Sequence, residues 1–213
     1  MGNSKKTCKN THFNNNKLIL ATMKKIRQLF FFISFILLSI SIVFGQKETP
    51  ILPIDSSTNK ITYSDVVYVD SLATKQELFS RAREWFAKAY KSSTNVIQME
   101  DKERGTIIGK ALMQVYYKEF PYGYINYTIS IYIKDGRYKY EFTDFHHTGQ
   151  GRDVPDFGIC EKMIKTSDKY MGISYQKYYN YCLYHMDNNI KNLISDLKSA
   201  MTKKATNSKK DDW

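Results

Sequence analysis

The chain has 213 residues, enough for about one domain with its ends. Its 32 basic residues outweigh 21 acidic ones for a formal charge of +11, a balance that on its face suggests a nucleic-acid or membrane-surface protein. The distribution excludes that reading: Lys5, Lys6, Lys9, Lys17, Lys24, Lys25 and Arg27 all precede Gln46, with no acid among them, so the remainder carries only a small positive excess.

Residues 1–22 are rich in Asn and Lys, show no period, and read as lying ahead of the true start. From Met23 the chain has the three parts of a secretory signal. Lys24, Lys25 and Arg27 form a positive start, and Leu29 to Phe44 is an uncharged apolar run short of the ~20 residues a spanning helix needs. Val43 and Gly45 are small enough for cleavage between Gly45 and Gln46. The expectation is an exported protein of a Gram-negative periplasm or cell envelope, touching the membrane only through the leader if that stays uncleaved. No cysteine follows the apolar run closely, which argues against a lipid anchor.

Residues 46–59 contain Pro50, Pro53, Ser56 and Ser57 and read as a flexible lead-in. Residues 60–202 read as one α+β domain, and 203–213 as a disordered tail. Ile61 to Asp70, rich in Val, Tyr and Ile, predicts a first strand. Thr74 and Glu77 fit a capping box, with Leu78, Phe79, Ala82, Trp85, Phe86 and Ala89 at helical spacing behind them. Such a stripe of large apolar side chains, worth ~1.5–3 kcal/mol each when buried, predicts a helix lying on a sheet. Val96–Glu100 and Thr106–Tyr116 predict a hairpin through the turn-forming residues 101–105.

Asp135-Gly136 predicts a two-residue type I′ turn. Its register places Ile133/Tyr138, Ile131/Tyr140 and Ile129/Phe142 on one face. Lys134/Arg137, Tyr132/Lys139, Ser130/Glu141 and Thr128/Thr143 share the other. One face is thus apolar and covered by helix, the other polar and open. His146 to Phe157 reads as a loop, and residues 175–202 as a second amphipathic helix, with Met186, Ile190, Leu193, Ile194, Leu197 and Met201 at helical spacing and tyrosines in its first turns.

On these residues the chain resembles a family of exported Gram-negative bacterial proteins known only as a domain of unknown function with a TATA-box-binding-protein-like (TBP-like) fold. The resemblance runs over residues 61–145. It rests on Val66-Val67-Tyr68-Val69-Asp70-Ser71, Glu77-Leu78-Phe79-Ser80-Arg81-Ala82 with Trp85, Val96-Ile97-Gln98-Met99-Glu100-Asp101, Gly105-Thr106-Ile107-Ile108-Gly109-Lys110 and Lys134-Asp135-Gly136-Arg137-Tyr138-Lys139-Tyr140. It implies a curved antiparallel sheet of about five strands with helices on one face. It implies no activity, and the fold name implies no DNA binding.

Four groups are candidates for chemistry. Tyr132, Lys134, Arg137 and Lys139 share the open face, where an aromatic ring with cations suits a ligand or partner; a solvated face with Lys139 beside Glu141 is the bland alternative. Asp144 with His146 is a candidate metal pair, completed by Asp153 or His185. Cys160 and Cys182 either bridge, closing a loop of about 23 residues worth about 3 kcal/mol, or remain separate thiols, with Cys160 as a nucleophile and His185 as its base. The tyrosines at 170, 175, 178, 179, 181 and 184 either cover a partner or close the edge of the sheet. Glycine-rich phosphate loops, G-x-S-x-G, H-E-x-x-H and C-x-x-C are absent from the sequence. The function expected is a non-enzymatic envelope module that binds an envelope protein or small ligand, with no cofactor and no nucleic acid; the alternative is a hydrolytic or metal-dependent enzyme using residues 144–160.

Overall fold

The structure, a computed structural model, describes residues 23–31, 50–165 and 173–202. The chain divides into two compact units, Met1–Lys47 and Glu48–Trp213. In the first, residues 23–31 are helical with exposed side chains. The Gly45–Gln46 junction and the tail 203–213 lie outside the described residues. No described helix is long and apolar enough to cross a membrane.

The second unit runs β1 (Tyr63–Tyr68), α1 (Lys75–Ala89), α2 (Ser93–Val96), β2 (Ile97–Asp101), β3 (Thr106–Tyr117), β4 (Phe120–Lys134), β5 (Arg137–Thr148), β6 (Gly158–Ile159), α3 (Cys160–Lys165) and α4 (Ile173–Thr202). The strands form one antiparallel sheet in the order β1-β5-β4-β3-β2. β1 pairs with residues 137–142 of β5 and β6 with His146 and His147, so the sheet has six strands rather than about five. A two-residue strand is too short to leave a pattern in a sequence.

The expected β4–β5 register holds from Lys134↔Arg137 to Thr128↔Thr143. The expected turn type does not. Gly136 takes φ 70° while Asp135 is not among the described residues with positive φ, whereas a type I′ turn needs positive φ at both. Tertiary bonds set this turn: Val69 N–H donates to Gly136 O and Gly136 N–H to Ala73 O, each at 2.9 Å, and Asp135 Oδ1 accepts from Lys75 N–H at 2.6 Å.

The alternation then changes hand at a bulge. Thr128 faces Thr143 and Asn126 faces His146, so Asp144 and Phe145 together oppose Tyr127. Asp144 absorbs the extra residue at φ 58°. Beyond it Phe145 and His147 point into the core, buried like Phe142, and His146 points out.

Both long helices cover the apolar face. α1 buries Leu78, Phe79, Ala82, Trp85 and Phe86, and α4 buries Tyr179, Cys182, Leu183, Met186, Ile190, Leu197 and Met201. Thr74 Oγ1 accepts from Glu77 N–H at 3.2 Å; the return arm of the expected capping box is missing because the Glu77 carboxylate pairs with Arg81 instead. Arg81 also donates to Met201 O at 2.7 Å, tying α1 to the last turn of α4. Gly109 is where helix and sheet come closest: a Cβ there would lie 2.9 Å from the Phe86 ring.

The expected lead-in is ordered over residues 50–59. Asp55 Oδ1 accepts from Ser57 Oγ at 2.6 Å and Thr58 N–H at 2.8 Å, and these bonds, that of Ser57 first, hold its carboxyl down to about 2. Ile54 bridges Ile61, and Leu52 is buried. Ile61 N–H in turn donates to Glu161 Oε1 at 2.8 Å, joining the start of the domain to α3.

Candidate functional site

The register of three strand pairs assembles one patch on the open face. Across β4 and β5, Lys134 faces Arg137 and Tyr132 faces Lys139. β1 adds Tyr68 opposite Arg137 and Val66 opposite Lys139. β3 adds Thr106 opposite Tyr132. These side chains surround a groove of about 460 Å³ whose lining is completed by Arg104, Ile133 and Tyr138. That volume lies within the ~300–1,000 Å³ typical of small-ligand sites. The four residues expected on this face therefore line one concavity. Val66, Tyr68, Arg104 and Thr106, not among the residues expected on this face, join them because β1 and β3, with the turn before β3, flank the hairpin.

Among the described residues no carboxylate lines the groove. The acids nearby are committed elsewhere. Glu141 takes Lys139 at 2.6 Å, a bond that raises the lysine above its ordinary value. Asp101 lies 3.6 Å from Arg104. Asp135 faces the first turn of α1. Lys134 and Arg137 have no ion pair among the described residues. The Arg137 guanidinium lies over the Tyr68 ring, 5.8 Å from its centroid. Tyr132 is 38% exposed, with its ring available beside the cations.

The other candidates do not come together in this way. The Asp144 carboxylate is held by Lys60 at 2.6 Å, and that ammonium keeps it below the usual carboxylate range. His146 lies on the outer side of β5 opposite Asn126. No group of three or more His, Cys, Asp or Glu among the described residues is arranged to hold a metal. The bridge between Cys160 and Cys182 is not formed; both are free, buried thiols. Burial pushes Cys182 up to about 12 and Cys160 well above its ordinary value, with Cys182 among the contributors at Cys160. A thiol so raised lacks the thiolate character a nucleophile requires. His185 instead packs its ring near Tyr181 and Tyr184.

Tyr178, Tyr179 and Tyr181 of α4 close the end of the sheet. Tyr178 stacks on Tyr122 at 4.8 Å and meets Tyr117 at 4.4 Å, and Tyr179 meets Phe157 edge-on at 4.6 Å. Tyr170 and the side chain of Tyr175 lie outside the described residues. His147, fully buried, accepts from Phe157 N–H at Nδ1 (3.4 Å), which leaves Nε2–H to donate to Tyr122 O at 3.2 Å. Burial holds its pKa below the ordinary value.

Residues 63–148 match the family model described as a domain of unknown function (DUF4468) with TBP-like fold. No curated protein matches the chain. Among solved structures, a TBP-like protein from Parabacteroides distasonis is similar with a TM-score of 0.51 and 19% identity, covering 69% of this chain and 97% of its own. A DUF4468 family protein from Bacteroides ovatus is similar with a TM-score of 0.53 and 16% identity, covering 73% of this chain and 92% of its own. At these identities the likeness speaks to fold. The sequence match and the shared architecture agree on one point: residues 63–148 resemble the DUF4468 family model and take a TBP-like fold.

Proposed function

We propose that the protein is an exported, non-enzymatic binding module of a bacterial cell envelope and that it binds through the groove on the open sheet face. One observation carries the binding half of this reading. Tyr132, Lys134, Arg137 and Lys139 meet Val66, Tyr68 and Thr106 around a single concavity in which two cations have no ion-pair partner among the described residues. The helical face is closed by core packing, so the open face is the surface of the sheet left for a ligand. Export rests on the positive start at Lys24, Lys25 and Arg27 and the apolar run to Phe44. The binding partner is a small ligand or an envelope protein rather than a nucleic acid, because the chain beyond Gly45 keeps only a small positive excess.

The test is the double variant Lys134→Glu with Arg137→Glu, compared with wild type for capture of envelope components by the purified protein. Both positions are exposed, so the fold should survive, as an unchanged urea midpoint would verify. Capture by wild type that disappears in the double variant supports the reading; identical capture by a folded double variant removes the groove from consideration. An intact mass beginning at Gln46 in protein recovered from the envelope fraction supports export, and a cytoplasmic protein retaining Met23 overturns it.

A further inference from the structure

We propose that the groove takes an acidic sugar: a ring of monosaccharide size bearing one carboxylate or phosphate group, with the anion between Lys134 and Arg137 and the ring against Tyr132. This rests on the groove being the binding site and names what would occupy it.

The cation pair comes first. Lys134 and Arg137 are directly opposite each other next to the turn. Like charges directly across an antiparallel pair repel. The turn residue between them, Asp135, could have neutralised them, but its carboxylate accepts the N–H of Lys75 instead. Glu141 is engaged by Lys139, and Asp101 lies beside Arg104. An anion in the groove supplies the missing charge. Arg137 presents two parallel donors that fit two oxygens of a carboxylate or phosphate, and Lys134 adds a point charge.

The remaining lining describes what carries that anion. Tyr68 is already covered by Arg137. Tyr132 lies two residues from Lys134 on the same face and keeps its ring partly exposed. A phenol ring offers an apolar body with a polar tip, suited to the C–H face of a sugar. Thr106, opposite Tyr132, brings a hydroxyl that can donate to or accept from ring hydroxyls. The groove, about 460 Å³, suits one such ring and not a long polymer. A single-stranded nucleic acid would need cations continuing along the face, whereas the next row across the strands is Ser64, Glu141, Ser130 and Ile108.

Calorimetric titration of the full mature protein with glucuronate, glucose 6-phosphate, glucose, acetate and inorganic phosphate tests this. Either acidic sugar should bind at least about tenfold more tightly than glucose or the free anions, as expected when a charge-assisted pair and a ring contact act together. Preference between the two acidic sugars tells carboxylate from phosphate. Lys134→Gln with Arg137→Gln should weaken the acidic sugar by about tenfold or more. Tyr132→Leu should weaken it while leaving the free anion unchanged. Glucose binding as well as glucuronate, free anion binding as well as either, or an unaffected double variant would each overturn the proposal. If the acidic sugars fail while charge reversal at Lys134 and Arg137 still abolishes capture of an envelope component, the ligand class is wrong and the groove remains. If charge reversal also changes nothing, both readings fall.

Discussion

Asp135 Oδ1 accepts the backbone N–H of Lys75 at 2.6 Å, so the tip of the β4–β5 hairpin caps the first turn of α1 from 60 residues away. Early helix N–H groups have no partner within the helix. Asp135 supplies one partner here and Thr74 another. Asp135→Ala should therefore cost about 1 kcal/mol, the usual worth of a lost helix cap. Asp135→Asn, which keeps an acceptor oxygen, should cost less. Urea unfolding checks both, with the slope unchanged and only the midpoint moved.

Gly109 sets how near α1 can approach the sheet. A methyl there would sit 2.9 Å from the Phe86 ring and 3.2 Å from Val96 Cγ1. Gly109→Ala should destabilise by about 1–3 kcal/mol through overpacking. Phe86→Leu in the same background should recover part of that loss. A double-mutant cycle showing simple additivity would mean that the ring is not what the methyl meets.

His147 should give the protein a pH dependence. Its folded pKa lies below the ordinary 6.5 because burial disfavours the charged ring; the Tyr122 carbonyl and Asp156 oppose this, and His146 adds slightly to it. The unfolded chain therefore takes up a proton, as pH falls through about 6.5, that the folded chain does not. Stability should be full above that pH and decline below it. Urea midpoints between pH 7.5 and 5 should show the slope, and His147→Phe should flatten it.

The two thiols should be silent in the folded protein. Cys160 and Cys182 are both buried and free, with thiol pKa values raised by burial. Neither should react with iodoacetamide until urea is added, and both should then alkylate without reductant. An intact mass that gains two alkyl groups only after reduction would reveal a bridge and contradict the structure.

Asp144 holds the bulge of β5 at φ 58°. Asp144→Gly should preserve the bulge and lose the exposed Lys60 pair and the side-chain bonds from Thr143 and Thr128, a small effect. Asp144→Val, β-branched in a left-handed conformation, should cost about 1–2 kcal/mol by thermal or urea unfolding.

Local chemistry made the hairpin legible in the sequence. Two turn residues and an alternation of period two specify every pair from Lys134↔Arg137 to Thr128↔Thr143, and the candidate residues picked out that way all lie on those two strands. What failed to show was non-local. The turn took another geometry because Asp135 and Gly136 bond to the β1–α1 loop. The bulge rests on one aspartate with positive φ, which nothing in the adjacent residues announces, so His146 and His147 could not be sorted to their faces. Tyr68 and Thr106 join the groove only through the strand order, which places β1 and β3 on either side of the hairpin.

The bond from Ile61 N–H to Glu161 Oε1 closes the intervening hundred residues at their neck. Along one margin of β5, β1 and β6 meet end to end, one arriving at the neck and the other leaving it. A pull applied at Ile61 and Glu161 themselves would thus load that bond before it reached the hairpins. The four-stranded heart of the sheet, with the groove on its outer side, is sheltered from a load that enters at that neck.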